Sequence, residues 1–169
     1  MQNPSVTRSW SELRPRYGVY LRLLEGIPDD TFGRAPIPNM RTPAELAVHV
    51  SGTVVRDIVQ GIARGEIRSG DPSEAATVAS LSSKDAVLAF CTECWEQADA
   101  AAAGIGTAEL AAIVRSTWEM KLTGEGWMKV MLDEFIHHRG QLFAYSRALA
   151  VPPPSMWRFD QNDPAFRPK

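Results

Sequence analysis

The sequence lacks the features that usually accompany binding to nucleic acid or to a membrane. Its 18 Lys and Arg residues are balanced by 20 Asp and Glu residues, which leaves a formal charge of -2. Phosphate backbones are usually bound by a basic excess, so this balance argues against a nucleic-acid partner. No apolar run approaches the roughly 20 residues that span a bilayer, and residues 1–20 lack the apolar stretch of a signal peptide. We therefore expect a cytoplasmic protein without a nucleic-acid or membrane partner.

Cysteine is also scarce, with two residues in the chain. Cys91 and Cys94 form a C-x-x-C pair, but the pair falls inside a helical pattern. Redox motifs gain a lowered thiol pKa at a strand-to-helix turn instead. The pattern therefore predicts two structural thiols.

What the sequence does contain is four segments with the periodicity of amphipathic helices. They cover residues 8–26, 42–64, 82–104 and 126–150. Thr42, Pro43 and Glu45 form a capping box with a proline start, which makes the second helix the best defined. Ser82 or Ser83 can cap the third helix.

Between these helices the connections are long and irregular. Residues 65–79 form a polar connection, and the pattern of residues 107–126 predicts a loop with a short strand or a turn of helix. Residues 151–169 are expected to be a proline-rich C-terminal strap or a disordered end. A chain of 169 residues with 44% hydrophobic residues suits one core, so we expect a single all-α domain, a four-helix bundle, over residues 1–169.

The segment DEFIHHRGQLFAY, residues 133–145, places polar side chains within an apolar helical pattern. At about 100° per residue, four of them fall within roughly 60° on one face of the helix. These four are Glu134, His138, Gln141 and Tyr145. The same sector holds the apolar residues Trp127, Val130, Met131, Ala148 and Leu149. Burying a carboxylate and an imidazole there is costly unless they are paired, hydrogen-bonded or bound to a cation.

Glu134 and His138 have the spacing of two ligands for one metal ion. Side chains four residues apart on a helix have Cβ atoms about 5–6 Å apart, so both can reach the same cation. A direct hydrogen bond between the two satisfies them without any metal. His137 lies at the edge of the sector and is a further candidate, as a ligand or as a supporting residue. The pair alone leaves these alternatives open.

The third histidine, His49, belongs to the second predicted helix. An α-helical wheel groups it with the polar residues Glu45, Thr53, Arg56 and Gln60. A polar stripe is typical of a solvated surface, and it is equally compatible with a residue that lines a polar cleft. The wheel does not choose between the two.

Two segments carry a resemblance to a known family. They are HVSG at residues 49–52 and DEFIHHRGQLFAYSRAL at residues 133–149, which is followed by a proline-rich stop. In these segments, and in the order of its helices over roughly residues 8–157, the chain resembles the DinB/YfiT-like superfamily of proposed metalloenzymes. H-R-G-Q, residues 138–141, is the most specific element.

The resemblance implies a four-helix bundle with one long crossover, often homodimeric, that holds a divalent metal such as nickel or zinc. The usual ligands are one histidine from the second helix and two from the fourth. Position by position they fall on His49, Glu134 and His138, so Glu134 departs from the family pattern. Two imidazoles and a carboxylate still suit Zn²⁺ or Ni²⁺ and leave positions open for substrate.

The resemblance further implies an enzyme. Family members include thiol S-transferases that use low-molecular-weight thiols such as bacillithiol or mycothiol, and metal-dependent hydrolases or isomerases. The candidates for lining the substrate site are Arg56, Trp127 and Gln141, although Gln141 has an alternative role as a hydrogen-bond partner of the second helix. The competing hypothesis is a non-catalytic small-molecule-binding or stress-associated bundle with a vestigial metal site.

A further alternative concerns the apolar circumference of the fourth helix, which is wider than one core seam requires. The residues in question are Met128, Leu132, Phe135, Ile136, Leu142 and Phe143. Either the other helices of the bundle cover them, or they form the surface of a homodimer.

Overall fold

The structure is a computed structural model that describes residues 3–68 and 72–168. The α-helices in these ranges are α1 Pro4–Gly26, α2 Pro43–Val48, α3 Ile58–Arg64, α4 Glu74–Ser80, α5 Lys84–Ala103, α6 Thr107–Ala111 and α7 Gly124–Ala148. A π-helical segment, His49–Asp57, joins α2 to α3 without a break, so α2 to α3 is one long helix. The strands are β1 Glu66–Ile67, β2 Ile113–Ser116 and β3 Lys121–Thr123. Four long helices therefore build the molecule, which confirms the predicted helical bundle.

The long helices begin where the sequence supplies a cap. The Thr42 hydroxyl accepts from the Glu45 amide, and the Glu45 carboxylate accepts from the Thr42 amide, which is the predicted capping box. Ser83 caps α5 and Thr123 caps α7 through hydroxyls that accept from backbone amides. Each cap satisfies amides that have no partner within the helix, so these boundaries follow from local sequence.

The sequence prediction missed α4. The connection expected over residues 65–79 contains this short helix as well as β1, and the Ser73 hydroxyl caps α4 by accepting from the Ala76 amide. None of the α4 residues is fully buried. The helix therefore shows no apolar periodicity that could have identified it. Residues 69–71 of the same connection lie outside the described ranges, as do residues 1–2 and Lys169.

The π-helical segment determines which side chains of the second long helix share a face with His49. Its hydrogen bonds run from residue i to i+5, so each turn takes more residues than an α-helical turn. On an α-helix Val54 and Ile58 would point about 140° and 180° away from His49. In the structure all three side chains line one pocket. Near the start of the segment, the Tyr20 hydroxyl donates to the Ala47 carbonyl at 3.1 Å.

The three strands form one small sheet in the order β1-β2-β3. β1 pairs with β2 in parallel, and β2 and β3 form an antiparallel hairpin within the region that was expected to be mostly loop. Trp118 and Glu119 lie in the turn of this hairpin, and Glu119 has a left-handed backbone with φ 63°. The hairpin brings the Trp118 ring within 6.2 Å of the Trp127 ring, measured between centroids.

The apolar circumference of α7 is covered mostly by the chain itself. Five of the six residues in question are buried or half-buried, including Phe135 and Leu142, which have no exposed surface. Ile136 is the exception, with 49% of its surface exposed. The helices of the bundle thus account for the width of this apolar face, apart from one side chain.

Both thiols lie in the interior and are free, as expected of structural cysteines. Burial raises the pKa of the Cys91 thiol to about 11 and that of the Cys94 thiol to about 12. The reactive form of cysteine is the thiolate, so neither thiol is prepared for redox or nucleophilic chemistry near neutral pH.

The C-terminal segment, residues 151–168, packs against α1. Its residue Asn162 is buried, and its side-chain amide donates to the carbonyls of Pro15 and Phe166 at 2.9 and 3.0 Å. Gly18 makes this approach possible, because a Cβ atom at that position would lie 2.5 Å from the Asn162 side-chain nitrogen.

Candidate metal site and adjoining pocket

His49, Glu134 and His138 come together between the second long helix and α7. One ligand atom from each residue lies within 4.8 Å of the others. The two imidazole rings are nearly perpendicular, with centroids 4.8 Å apart, and Nε2 of His138 lies 3.2 Å from Oε2 of Glu134. The residues that the sequence suggested as ligands therefore form one cluster, although about 85 residues of chain separate His49 from Glu134.

Glu74, the first residue of α4, forms a hydrogen bond with the His49 ring. Nδ1 of this ring lies 2.6 Å from Glu74 Oε1, and the Thr53 hydroxyl donates to the same oxygen at 2.6 Å. The hydrogen bond from His49 is the main cause that lowers the pKa of Glu74 to about 2, with a further contribution from Thr53. The ionised carboxylate therefore takes the Nδ1 proton as acceptor, which leaves Nε2 as the ring nitrogen that can bind an ion.

His138 has an equivalent partner in Gln141. Its Nδ1 lies 2.8 Å from Oε1 of Gln141, whose side-chain nitrogen lies 3.2 Å from Nε2 of the exposed His137. With Nδ1–H donated to the amide oxygen, a neutral His138 presents its Nε2 lone pair towards the Glu134 carboxylate. Two acceptors that face each other at 3.2 Å require a positive charge between them, either a proton or a metal ion.

The donor set fits a divalent metal. Burial lowers the pKa of His138, so the charged imidazolium is disfavoured in this position. Two imidazole nitrogens and one carboxylate oxygen are ligands that Zn²⁺ and Ni²⁺ accept, and three protein ligands leave positions open for other molecules. Each imidazole is oriented through its second nitrogen, which is the usual support of metal-binding histidines in proteins. The cluster can therefore hold a metal ion.

A pocket of about 340 Å³ opens beside this cluster and is lined by His49 and Glu134 at one end. Most of its remaining wall is apolar, with Val54, Ile58, Val130, Trp127, Trp118 and Met120. Val54 and Ile58 reach the wall because the π-helical segment turns them towards His49. A molecule in this pocket would thus contact apolar side chains while one of its ends lies next to the candidate ligands.

The three residues suggested to line a substrate site have different positions. Trp127 is buried at the pocket wall and donates from its indole nitrogen to the Val114 carbonyl at 2.9 Å. Gln141 contacts the two neighbouring histidines of its own helix rather than the second long helix. Arg56 lies against Asp57, 2.8 Å away, and over the Phe90 ring. The α-helical wheel grouped Arg56 with His49, and the longer turns of the π-helix remove it from that face.

Glu134 is more exposed than the wheel suggested. Its side chain is 48% exposed, whereas that of His138 is 8% exposed. The apolar sector of α7 is therefore buried unevenly, and Glu134 lies at its open edge beside the pocket. An open edge keeps the carboxylate partly hydrated, which reduces the cost of its charge.

Glu74 is the functional residue that sequence reasoning missed. Ser73 and Glu74 are followed by small helix-forming residues, a pattern that indicates a helix start and could have revealed α4. The pattern says nothing about His49, because this contact depends on how α4 packs against the second long helix. Only the three-dimensional structure connects the two residues.

Comparison with known proteins agrees with this architecture. The family model described as the DinB superfamily matches residues 12–142. The chain belongs to the DinB superfamily. The match includes all three residues of the cluster, as well as Glu74 and Gln141. None of the curated proteins matches the chain at a significant level.

Among solved structures, this DinB superfamily protein is similar to a DinB-like protein, YjoA, from Bacillus subtilis. The TM-score is 0.67 at 20% sequence identity, and the alignment covers 91% of this chain and 98% of the other. At this identity the likeness establishes the fold. In the described part of the chain, no helix is long and apolar enough to cross a membrane.

Proposed function

We propose that this protein is a metal-dependent enzyme that binds one divalent ion, Zn²⁺ or Ni²⁺, through His49, Glu134 and His138. The observation that carries the proposal is the convergence of three ligand atoms within 4.8 Å, with each imidazole supported through its other nitrogen. Membership of the DinB superfamily agrees with such a site.

We propose thiol S-transfer or hydrolysis of a small molecule as the reaction. A bound divalent cation supplies Lewis-acid chemistry, which stabilises the conjugate base of a thiol or of water near neutral pH. Glu74 and Gln141 keep the two imidazoles oriented, and Glu134 contributes a negative charge that moderates the acidity of the cation. The pocket beside His49 and Glu134 would hold the substrate next to the ligands. A low-molecular-weight thiol is the proposed co-substrate in the transferase reaction.

The alternative is a non-catalytic bundle that binds a small molecule and retains only a vestigial metal site. The 3.2 Å contact between His138 and Glu134 favours it, because a proton shared between the two side chains would satisfy both without a metal. The two functions differ in one measurable property, the metal content of the purified protein.

The test is metal analysis of untagged protein after incubation with Zn²⁺, Ni²⁺ or Mn²⁺ and removal of free ions. We expect about one ion per chain, lost in His138→Ala and retained in His137→Ala, which removes the adjacent exposed histidine. His137→Ala is the control, because both variants lose one histidine and differ only in which one. Metal-free wild-type protein, or equal metal loss in both variants, would contradict the proposal.

A homodimer also remains a prediction, which follows from the resemblance to the superfamily. Ile136 is the large apolar residue that α7 leaves most exposed, at 49%. Light scattering on the wild-type protein and on Ile136→Glu measures both the oligomeric state and the contribution of this side chain. A monomeric wild-type protein would contradict the prediction.

A further inference from the structure

The pocket beside the candidate metal ligands has one polar end and an apolar body. At about 340 Å³ it lies near the lower limit of small-molecule sites, which measure roughly 300–1,000 Å³. His49 and Glu134 form the polar end. The body is built by aliphatic side chains from two helices and by tryptophans from α7 and from the β2–β3 hairpin. A ligand that fills the pocket must therefore bury most of its surface against carbon.

The distribution of charge restricts this ligand further. Among the described residues that line the pocket, Glu134 is the only carboxylate, and none is a lysine or an arginine. The hydroxyl of Thr53, which also lines the pocket, donates its hydrogen bond to Glu74. Arg56, the nearest arginine along the same helix, is paired with Asp57 and stacked on Phe90. A phosphate, sulfonate or carboxylate on the body of a ligand would find no cationic partner here, and burying it would be costly.

The mouth of the pocket carries two large apolar side chains that are unusually exposed. Trp118 and Met120, both from the hairpin, are each 45% exposed. The left-handed backbone of Glu119 lies between them in the turn of the hairpin. Trp118 also stands 6.2 Å from Trp127, the tryptophan of the inner wall. An apolar ligand that covers the exposed faces of Trp118 and Met120 would remove their apolar surface from water, which favours binding.

We infer that the site selects a small substrate with an uncharged aromatic or branched aliphatic body, whose reactive end reaches His49 and Glu134. Trp118 and Met120 determine this specificity by covering the body. The position of the reactive end rests on the proposed function, whereas the chemistry of the body rests on the residues that line the pocket. This specificity disfavours nucleotides and other phosphate-bearing molecules, because no lysine or arginine lines the pocket to pair with their charges.

The test compares two thiols that differ at the far end of the ring, where one has a hydrogen atom and the other a carboxylate. Benzyl mercaptan and 4-(mercaptomethyl)benzoate have the same thiol and the same ring, and the second adds a carboxylate. Calorimetric titration of the zinc-loaded full-length protein should give a dissociation constant at least about tenfold lower for benzyl mercaptan, because the carboxylate stays unpaired. Equal affinity, or preference for the carboxylate, would overturn the inference.

Two variants assign the selectivity to the hairpin. Trp118→Ala should raise the dissociation constant of benzyl mercaptan about threefold or more, since it removes part of the apolar wall. Trp157→Ala is the matched control, because Trp157 is 69% exposed and lies in the C-terminal segment. Met120→Ala provides a second variant at the mouth in case Trp118→Ala alters the hairpin. An unchanged constant in both hairpin variants would overturn the role of the hairpin.

Zinc content, measured in the same samples, separates this inference from the proposed function. If the protein binds no zinc, the metal proposal fails, and the pocket is then tested on metal-free protein with benzyl alcohol against ethylene glycol. Tighter binding of benzyl alcohol that weakens in Trp118→Ala would support the apolar specificity by itself. Equal binding of the two alcohols would overturn it.

Discussion

Oε1 of Glu74 lies 2.6 Å from Nδ1 of His49, although 25 residues separate them in the chain. The contact joins a short exposed helix to the start of the π-helical segment, and it fixes which nitrogen of His49 carries the proton. The orientation of one candidate ligand therefore depends on a residue outside the four long helices.

The first prediction follows from this contact. Glu74→Ala should weaken zinc binding by about 10- to 100-fold, as expected when the hydrogen-bond partner of a metal-binding histidine is removed. Glu74→Gln should weaken it less, because the amide oxygen can still accept from His49. Competition with a chromophoric chelator measures both constants. Glu96→Gln, at an exposed position on α5, is the control, and unchanged affinity in Glu74→Ala would refute the supporting role.

The fold was largely predictable because its determinants are local. Thr42, Ser83 and the glycine at position 104 mark helix ends through caps and turn chemistry that act within a few residues. Apolar periodicity then identifies the four long helices. The short helix α4 was not predicted, because none of its side chains is fully buried and seven residues are too few to show a clear apolar periodicity.

The site was predictable only in part, for a different reason. His49, Glu134 and His138 were suggested by the i, i+4 spacing of one pair and by the resemblance to the superfamily. Arg56 was placed on the face of His49 because the wheel assumed α-helical turns, and the nine-residue π-helix changes that angle. Local sequence carries no clear signal for such a π-helix, and none for the contact between Glu74 and His49.

A second prediction concerns the docking of the C-terminal segment on α1. In Gly18→Ala the new Cβ would lie 2.5 Å from the Asn162 side-chain nitrogen and 2.7 Å from Cβ of Phe166. We expect a loss of about 1–3 kcal/mol in the free energy of unfolding, measured in urea, because the segment must shift. Gly140→Ala is the matched control in α7, where nothing lies within 4 Å of the new Cβ.

The control also has a predicted direction. Removing a helical glycine lowers the entropy of the unfolded chain, so Gly140→Ala should raise the free energy of unfolding by up to about 1 kcal/mol. If both alanine variants change stability alike, the close approach of Asn162 and Phe166 to Gly18 is not what restricts this position.

A third prediction concerns stability at alkaline pH. Burial raises the pKa of Cys91 from the ordinary value of 9.0 to about 11, so the folded protein keeps a proton that the unfolded chain releases. The contribution of this thiol to the free energy of unfolding is therefore complete below about pH 9 and is lost as the pH rises towards 11. Urea midpoints at pH 8 and pH 10.5 measure this loss. Burial also raises the pKa values of Tyr17 and Tyr20, which adds to the same trend.

Cys91→Ala isolates the thiol from the tyrosines. The variant should be less stable than the wild type at pH 8, because a buried side chain is shortened, but it should lose less stability between pH 8 and pH 10.5. An equal loss in the two proteins would show that Cys91 does not contribute to the alkaline transition.

The central claim is that His49, Glu134 and His138 bind one metal ion between them, and anomalous diffraction from crystals grown with zinc tests it most directly. The account predicts a single anomalous peak at the zinc edge, about 2.0–2.2 Å from Nε2 of each histidine and from one carboxylate oxygen of Glu134. A map without a peak at this position, with His138 still in direct contact with Glu134, would contradict it.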